Sequence, residues 1–357
     1  MLNQNFFPRK IESIMNINDN YIANLQRKPS YPKYKGFHWA DYIELLCLAN
    51  IDGEVSIMDI IDRLAEREED LYESDPDDLE EMKNLEEEDT GIPTQRYKKH
   101  DKWIERVNSW FEIIKFRKQH YKTCYPFDIE KDDLILKYNS DNIKHKYYLF
   151  LLLCSNLFLL KKQISELISS YFEVISLQAL KNLLPTNASV VLFGSNPLND
   201  NPRYGKTATC LNKIKNLASD LNEKLSPNFN EESYPENNYG DDGLDLVAWL
   251  HTGDDQNSNI IVLGQCACTV DWIDKQSSSS YEAWDSKISL TTMTINAIFI
   301  PFCYRNPTGN WFDSSKIRKS FLVDRKRTLY FLDDSHEIDT SIVNLIDSLL
   351  KTKEPIF

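Results

Sequence analysis

The chain has 357 residues, more than one ordinary core accommodates, and its 41% hydrophobic and 12% aromatic content excludes a disordered or fibrous protein. Its formal charge of -14 is concentrated: Ala65 to Asp89 holds 14 acidic against two basic residues, so the remainder is close to neutral and can carry basic faces. Net charge therefore does not exclude a nucleic-acid partner. Seven scattered cysteines, an odd number, and an opening MLNQNFFPRK without an apolar signal core fit a reducing cytoplasm. The longest apolar run, YYLFLLLCSNLFLL (147–160), falls short of the ~20 residues that cross a bilayer, so no membrane is expected.

Residues 1–185 read as mainly helical. HWADYIELLCLANI (38–51) and VSIMDIIDRLAERE (55–68) place apolar residues at helical spacing on either side of the turn-forming DGE. The acidic stretch at about 65–90 reads as a solvated helix or flexible insertion, with a DNA-mimicking or autoinhibitory role as the sharper alternative. DKWIERVNSWFEIIKFRKQH (101–120) aligns Trp103, Val107, Trp110, Ile113 and Ile114 on one face, predicting a third amphipathic helix. DLILKY (133–138) suits a short strand; 147–160 and KKQISELISSYFEVISLQALKNLL (161–184) suit helices.

The texture changes near Pro185. ASVVLFGSN (188–196) is a β-branched strand candidate, and RYGKTATCLNKIKNLASDLNEKL (203–225) reads as a turn followed by a helix. Strands are predicted at 244–250, 259–268 and 296–302, with one or two more in FLVDRKRTLYFL (321–332) and a closing helix at 341–352. The fold class is therefore α+β, with a mainly helical domain at 1–185 and an α/β domain with a mixed central sheet at 186–357.

Two tempting motifs fail on chemistry. GKT at 205–207 follows a strand, but a phosphate loop needs glycine where Asp200 stands, and an acid there repels phosphate. Cys266 and Cys268 lack a second pair of zinc ligands at compatible spacing. The strongest signal is GDDGLDLVAW (240–249) followed by NIIVLGQCAC (259–268). Strand alternation puts Asp245 with Val247 and Trp249, and Gln265 with Ile261 and Leu263. A hairpin register that sets Asp245 beside Gln265 is allowed, and Asp241 and Asp242 add oxygen donors. Hard oxygen donors of this kind suit Mg2+ or Mn2+ in phosphodiester hydrolysis, where a nearby lysine offsets developing charge. The bland alternative is a hairpin whose Asp caps a turn.

These residues resemble the Mrr-like branch of the PD-(D/E)XK restriction-endonuclease superfamily, whose pattern is roughly GDxGxD followed by a strand ending Gln-x-Lys. The resemblance covers about residues 188–335 and does not extend to the first half of the chain. It implies a restriction-endonuclease-like domain in which Asp245 and Gln265 are metal ligands and catalytic, with Asp242 as a further metal ligand. Ala267 stands where the family has lysine. A migrated lysine would restore the charge, with Lys275 the nearest candidate and Lys206, Lys213 and Lys287 the others. The leading helix of the family, which often carries a further Glu, is matched to about 206–225, where only Asp220 and Glu223 are available.

From Arg305 to Arg327, Arg305, Lys316, Arg318, Lys319, Arg325, Lys326 and Arg327 stand against two aspartates, with Tyr304, Trp311 and Phe312 interleaved, as a DNA phosphate-binding surface requires. The expected activity is a Mg2+- or Mn2+-dependent deoxyribonuclease, which the resemblance connects with prokaryotic restriction or anti-phage defence. The alternative is a nuclease fold that has lost catalysis and binds nucleic acid or scaffolds a complex. The helical half is expected to bind a protein partner or the target, and oligomerisation is left open.

Overall fold

A computed structural model describes residues 21–29, 34–65, 92–332 and 338–357, and the acidic stretch at 66–91 lies outside the described residues. The chain forms two compact units: Met1–Lys161 with Tyr304–Phe312 and Glu337–Phe357, and Lys162–Cys303 with Asp313–His336. The expected boundary near 185 thus falls at 161, because the helix that follows packs with the later sheet, and two later segments return to the first unit.

The first unit begins with α1 (Gly36–Ala49), β1 (Glu54–Ser56) and α2 (Ile57–Ala65), and continues through α3 (Ile92–Tyr121), β2 (Phe127–Glu130), β3 (Asp133–Leu136) and α4 (Ile143–Ser155). Every residue of α1 after Gly36 is buried, which makes it the central helix of the unit. Its two acids have internal partners. Arg117 of α3 reaches Asp41 at 2.7 Å and Glu44 at 3.0 Å, and the hydroxyls of Tyr125 and Tyr148 donate to Glu44 at 2.7 and 2.9 Å. Three antiparallel strands in the order β1-β3-β2 cover one end, with Lys131 in left-handed backbone (φ 61°) at the β2-β3 turn. Asn142 caps α4 by accepting from Lys144 N–H, the local device that starts this helix after the polar turn.

The second unit opens with α5 (Lys162–Leu183), which buries Ile164, Ile168, Phe172, Ile175 and Ala179 at helical spacing. Then follow β4 (Ala188–Leu192), α6 (Cys210–Asp220), β5 (Lys224–Leu225), β6 (Leu246–Leu250), β7 (Ile261–Cys266), the short α7 (Trp272–Lys275) and α8 (Tyr281–Asp285), β8 (Ile288–Ser289), β9 (Ile295–Phe299), β10 (Phe321–Val323) and α9 (Arg325–Phe331). The chain returns to the first unit as α10 (Thr340–Lys351). The protein is thus α+β, with ten helices among the described residues and a mixed five-stranded sheet in the second unit.

That sheet has the order β10-β9-β7-β6-β4. β4, β6 and β7 run antiparallel in sequence, whereas β9 lies parallel to β7 and β10 parallel to β9. Val247, Trp249, Ile261 and Leu263 pack with Ile214, Leu217 and Leu221 around α6, so alternate positions of the hairpin strands build one core. Only the first three residues of the predicted strand at 321–332 are extended. Asp324 caps a helix there, accepting from Arg327 N–H at 3.1 Å, and Thr328, Leu329 and Leu332 are buried at helical spacing.

Candidate functional site

The β6-β7 register pairs Leu246 with Gly264, which brings Asp245 opposite Gln265 at the end of the sheet where β6 begins and β7 closes. Asp245 donates its N–H to Gly264 O at 3.0 Å, and its own carbonyl accepts from Phe193 N–H at 2.7 Å just past β4. Three strands therefore meet around this one aspartate. Its Oδ2 accepts from Cys266 N–H at 2.6 Å and from Gln265 Nε2 at 2.5 Å. Gln265 Oε1 in turn accepts from Ser278 Oγ at 3.0 Å.

The DDG turn sorts the neighbouring acids. Asp242 (φ 54°) and Gly243 (φ 77°) are both in left-handed backbone, and Asp241 Oδ1 accepts from Gly243 N–H at 2.9 Å. Asp241 is thereby directed to the end of β4, where a Cβ on Gly194 (φ 123°) would stand 2.7 Å from the Asp241 Cβ. Glycine at 194 is what lets that carboxylate approach. Asp242, expected as a metal ligand, goes elsewhere. It accepts from the Tyr234 hydroxyl at 2.7 Å and lies 3.2 Å from Lys287 Nζ.

A third carboxylate arrives from α5, where Glu173 Oε2 accepts from Asn196 Nδ2 at 2.5 Å. Burial raises the Glu173 pKa to about 7, against the Asn196 hydrogen bond, with Asp241 adding to the rise and Lys275 opposing it. Burial also holds the Asp245 carboxyl well above the usual range, reinforced by the charges of Glu173 and Asp241 and opposed by Cys266 N–H and Lys275. Glu173, Asp241 and Asp245 thus form one electrostatic group, and the Lys275 ammonium at the end of α7 acts on two of its members.

The other lysines nominated by the sequence are committed elsewhere. Lys206 pairs with Asp200 at 2.6 Å, and Lys287 with Asp242. Lys213 is 0% exposed and donates to the carbonyls of Tyr239 and Gly240 at 2.7 and 3.0 Å, fixing the approach to the DDG turn. Burial lowers its pKa. Ala267 is wholly buried, its N–H bonded to Phe299 O at 2.9 Å.

The two acids available at 206–225 are engaged elsewhere, and the helical carboxylate that acts on Asp245 is Glu173 of α5. Asp220 is paired with Arg203 at 2.6 Å, and Glu223 accepts from Thr291 N–H and its hydroxyl at 3.0 and 2.9 Å. Glu173 carried no signal of its own in the sequence; it stands with the wholly buried Ser176 on one face of the helix that leads into β4.

As to ion binding, no group of three or more His, Cys, Asp or Glu side chains among the described residues is placed to hold a metal together. The donor set on offer is a smaller number of carboxylate oxygens, leaving positions for water; the Gln265 amide oxygen is bonded to Ser278 Oγ and joins the set only when the amide turns. Mg2+ accepts such a set, because it keeps several waters and takes one or two carboxylates. Mutually repelling, partly desolvated carboxylates are also the kind of group a divalent charge relieves.

The basic run divides. Arg325 is 0% exposed and donates from Nε to Pro301 O at 2.8 Å, so it is a core residue and not a phosphate contact. Arg305 belongs to the first unit, 4.3 Å over the Trp311 ring. Arg327 donates to Leu322 O at 2.6 Å and lies over Phe321, and Lys326 is half-buried beside it on α9. Lys316, Arg318 and Lys319 are exposed on one loop tied to the α7 segment: Gln276 Nε2 donates to Lys316 O at 2.9 Å, and its Oε1 accepts from Arg318 N–H at 3.0 Å. Gln276 directly follows Lys275, so the loop that carries these three cations is bonded to the segment that carries Lys275.

Comparison of the chain with protein-family models, with curated proteins and with solved structures finds no match in any of the three.

Proposed function

We infer that the second unit is a Mg2+- or Mn2+-dependent nuclease that hydrolyses phosphodiester bonds in DNA. The observation that carries this reading is the hydrogen-bonded pair of Asp245 and Gln265 at one end of a mixed sheet, with the charges of Glu173, Asp241 and Lys275 acting on Asp245. An Asp where one strand starts and a Gln where the next ends are features that the resemblance to the Mrr-like restriction endonucleases implies, and Glu173 on α5 would take the place of the Glu that the family often carries on its leading helix, matched to 206–225. That resemblance is also the basis for extending the role to prokaryotic restriction or anti-phage defence. The seven cysteines, all free thiols, suit a reducing cytoplasm, and no helix among the described residues is long and apolar enough to cross a membrane.

In this reading Asp245 and, with its amide turned, the Gln265 oxygen would hold the ion, assisted by Asp241. A bound divalent ion supplies positive charge that polarises the scissile phosphate and acidifies an attacking water. Glu173, with a pKa near 7, is tuned to take and return a proton at neutral pH. Lys275 offsets charge that develops on the phosphate, the role vacated by Ala267. Lys316, Arg318 and Lys319 hold the backbone alongside. The first unit serves as a partner-binding or target-recognition module.

Ala267 favours a second reading, a nuclease fold that binds nucleic acid without cleaving it. Plasmid DNA incubated with the protein and Mg2+ or Mn2+ separates the two. Cleavage that falls at least about a hundredfold in both Asp245→Ala and Lys275→Ala supports the nuclease. Salt-sensitive binding without cleavage under either metal supports the second reading, and equal cleavage by wild type and Asp245→Ala removes Asp245 from the mechanism.

A further inference from the structure

The Gln265 amide has two ends, and only one suits a cation. Nε2 now faces the carboxylate, donating to Asp245 Oδ2 at 2.5 Å and to Cys266 O at 3.3 Å, while Oε1 accepts from Ser278 Oγ at 3.0 Å. Here the amide nitrogen itself stands in for positive charge beside Asp245. Rotation about the terminal torsion exchanges oxygen and nitrogen with almost no change of shape. It would set two acceptor oxygens side by side, an arrangement stable only with a cation between them, and would turn Nε2 toward residue 278.

We propose that Ser278 is a positioning residue that accepts the Gln265 amide nitrogen when the amide turns its oxygen toward a divalent cation at Asp245. The proposal rests on the metal-site reading above and assigns a role to a residue of the serine-rich loop.

A hydroxyl carries one proton and can both donate and accept. Ser278 Oγ now has two acceptors in reach, Gln265 Oε1 at 3.0 Å and Lys275 O at 2.8 Å, and a single proton to share between them. With the amide turned, that competition ends. Nε2 donates to Oγ, and Oγ donates to Lys275 O. Serine satisfies either orientation without moving, whereas alanine satisfies neither and would strand a largely buried N–H of Gln265, which is 8% exposed.

The position of Ser278 is also fixed. Its carbonyl accepts from Trp284 Nε1 at 3.1 Å, and its N–H donates to Lys275 O at 3.1 Å. On the other side Gly243 leaves room for it, since a Cβ on Gly243 would stand 2.5 Å from the Ser278 Cβ. The hydroxyl is therefore held between Gln265 and the backbone of Lys275, and connects the amide to the segment that carries the nearby ammonium.

Mn2+ binding to the full chain, followed by the loss of the free-ion electron paramagnetic resonance signal, tests this in four proteins: wild type, Ser278→Ala, Gln265→Glu and the double variant. Ser278→Ala is expected to weaken Mn2+ binding roughly tenfold. In the Gln265→Glu background the same change is expected to cost less than about twofold, because both carboxylate oxygens bind a cation and no amide nitrogen needs an acceptor. An equal loss in both backgrounds overturns the proposal in favour of a merely structural serine, and no loss in the wild-type background overturns it outright. Should Gln265→Glu fail to show a cooperative melt, Ser278→Thr replaces it: recovery of Mn2+ affinity upholds the hydroxyl's role, and affinity as low as that of Ser278→Ala overturns it. Failure of the wild type to bind Mn2+, or binding indifferent to Asp245→Ala, overturns the metal-site reading and this proposal with it.

Discussion

Glu173 is held near neutrality by burial and the charge of Asp241, against the Asn196 hydrogen bond and the Lys275 charge. Its folded pKa of about 7 lies above the ordinary 4.5, so its contribution to stability is fully present below pH 4.5 and is lost as pH rises through about 7. Glu173→Gln keeps the shape and removes that loss. In EDTA it should raise stability on the order of 2 kcal/mol at pH 8 and leave it little changed at pH 4, read as the difference in Tm between the two proteins at each pH. A constant difference across that range would remove Glu173 as the titrating group. The pairing of Asp245 with Gln265 was legible in the sequence because Gln265 lies in β7 and Asp245 immediately precedes β6, where a period of two restricts the register. Glu173 was not, because only tertiary packing brings α5 against that sheet end. Asp242 was taken as a ligand by its place in the motif, but the left-handed backbone at 242 and 243 turns it to Tyr234 and Lys287, which spacing alone does not reveal.

At the scale of elements, the site depends on a loop fixed from beneath. Lys213 of α6 is a fully buried cation that serves the carbonyls of Tyr239 and Gly240, immediately before the acids. Lys213→Met preserves length and removes the donors, leaving two carbonyls without their partner. A loss of about 2 kcal/mol is expected, with faster amide exchange at 241–244 than in β9. Unchanged exchange in that loop would show that the turn holds itself. The helices of the second unit illustrate what a local pattern does and does not reveal. The long amphipathic run of α5 is plain, but its membership of the sheet unit is not, because the Pro185 break resembles a domain boundary. FLVDRKRTLYFL reads as strand from its β-branched and aromatic residues, yet Asp324 caps a helix and buries Arg325 against Pro301 O. The same turn withdraws a cation from the expected basic surface and leaves Lys316, Arg318 and Lys319 as its exposed members.

At the scale of the whole chain, the units are not successive stretches of sequence, and truncation is therefore costly in a specific way. The first unit is completed by α10, whose buried Ile342, Leu345, Ile346 and Leu349 face inward, with Asp339 capping its start. Glu354 beyond it donates to Ala49 O at 3.1 Å and accepts from Ile51 N–H at 2.9 Å, joining the C-terminal segment to the end of α1. Full burial of an aliphatic side chain contributes about 1.5–3 kcal/mol, so four of them contribute roughly 6–12 kcal/mol, as much as the net stability of a typical domain. A chain ending at residue 337 loses all of this and uncovers the packing faces of α1 and α4. Its first unit should consequently lack a cooperative melt and be cleaved within α1 and α4 under limited proteolysis that leaves the full chain intact there. Protection of those helices in the truncated chain would show that α1, α3 and α4, tied by Arg117, Asp41 and Glu44, suffice without their C-terminal cover.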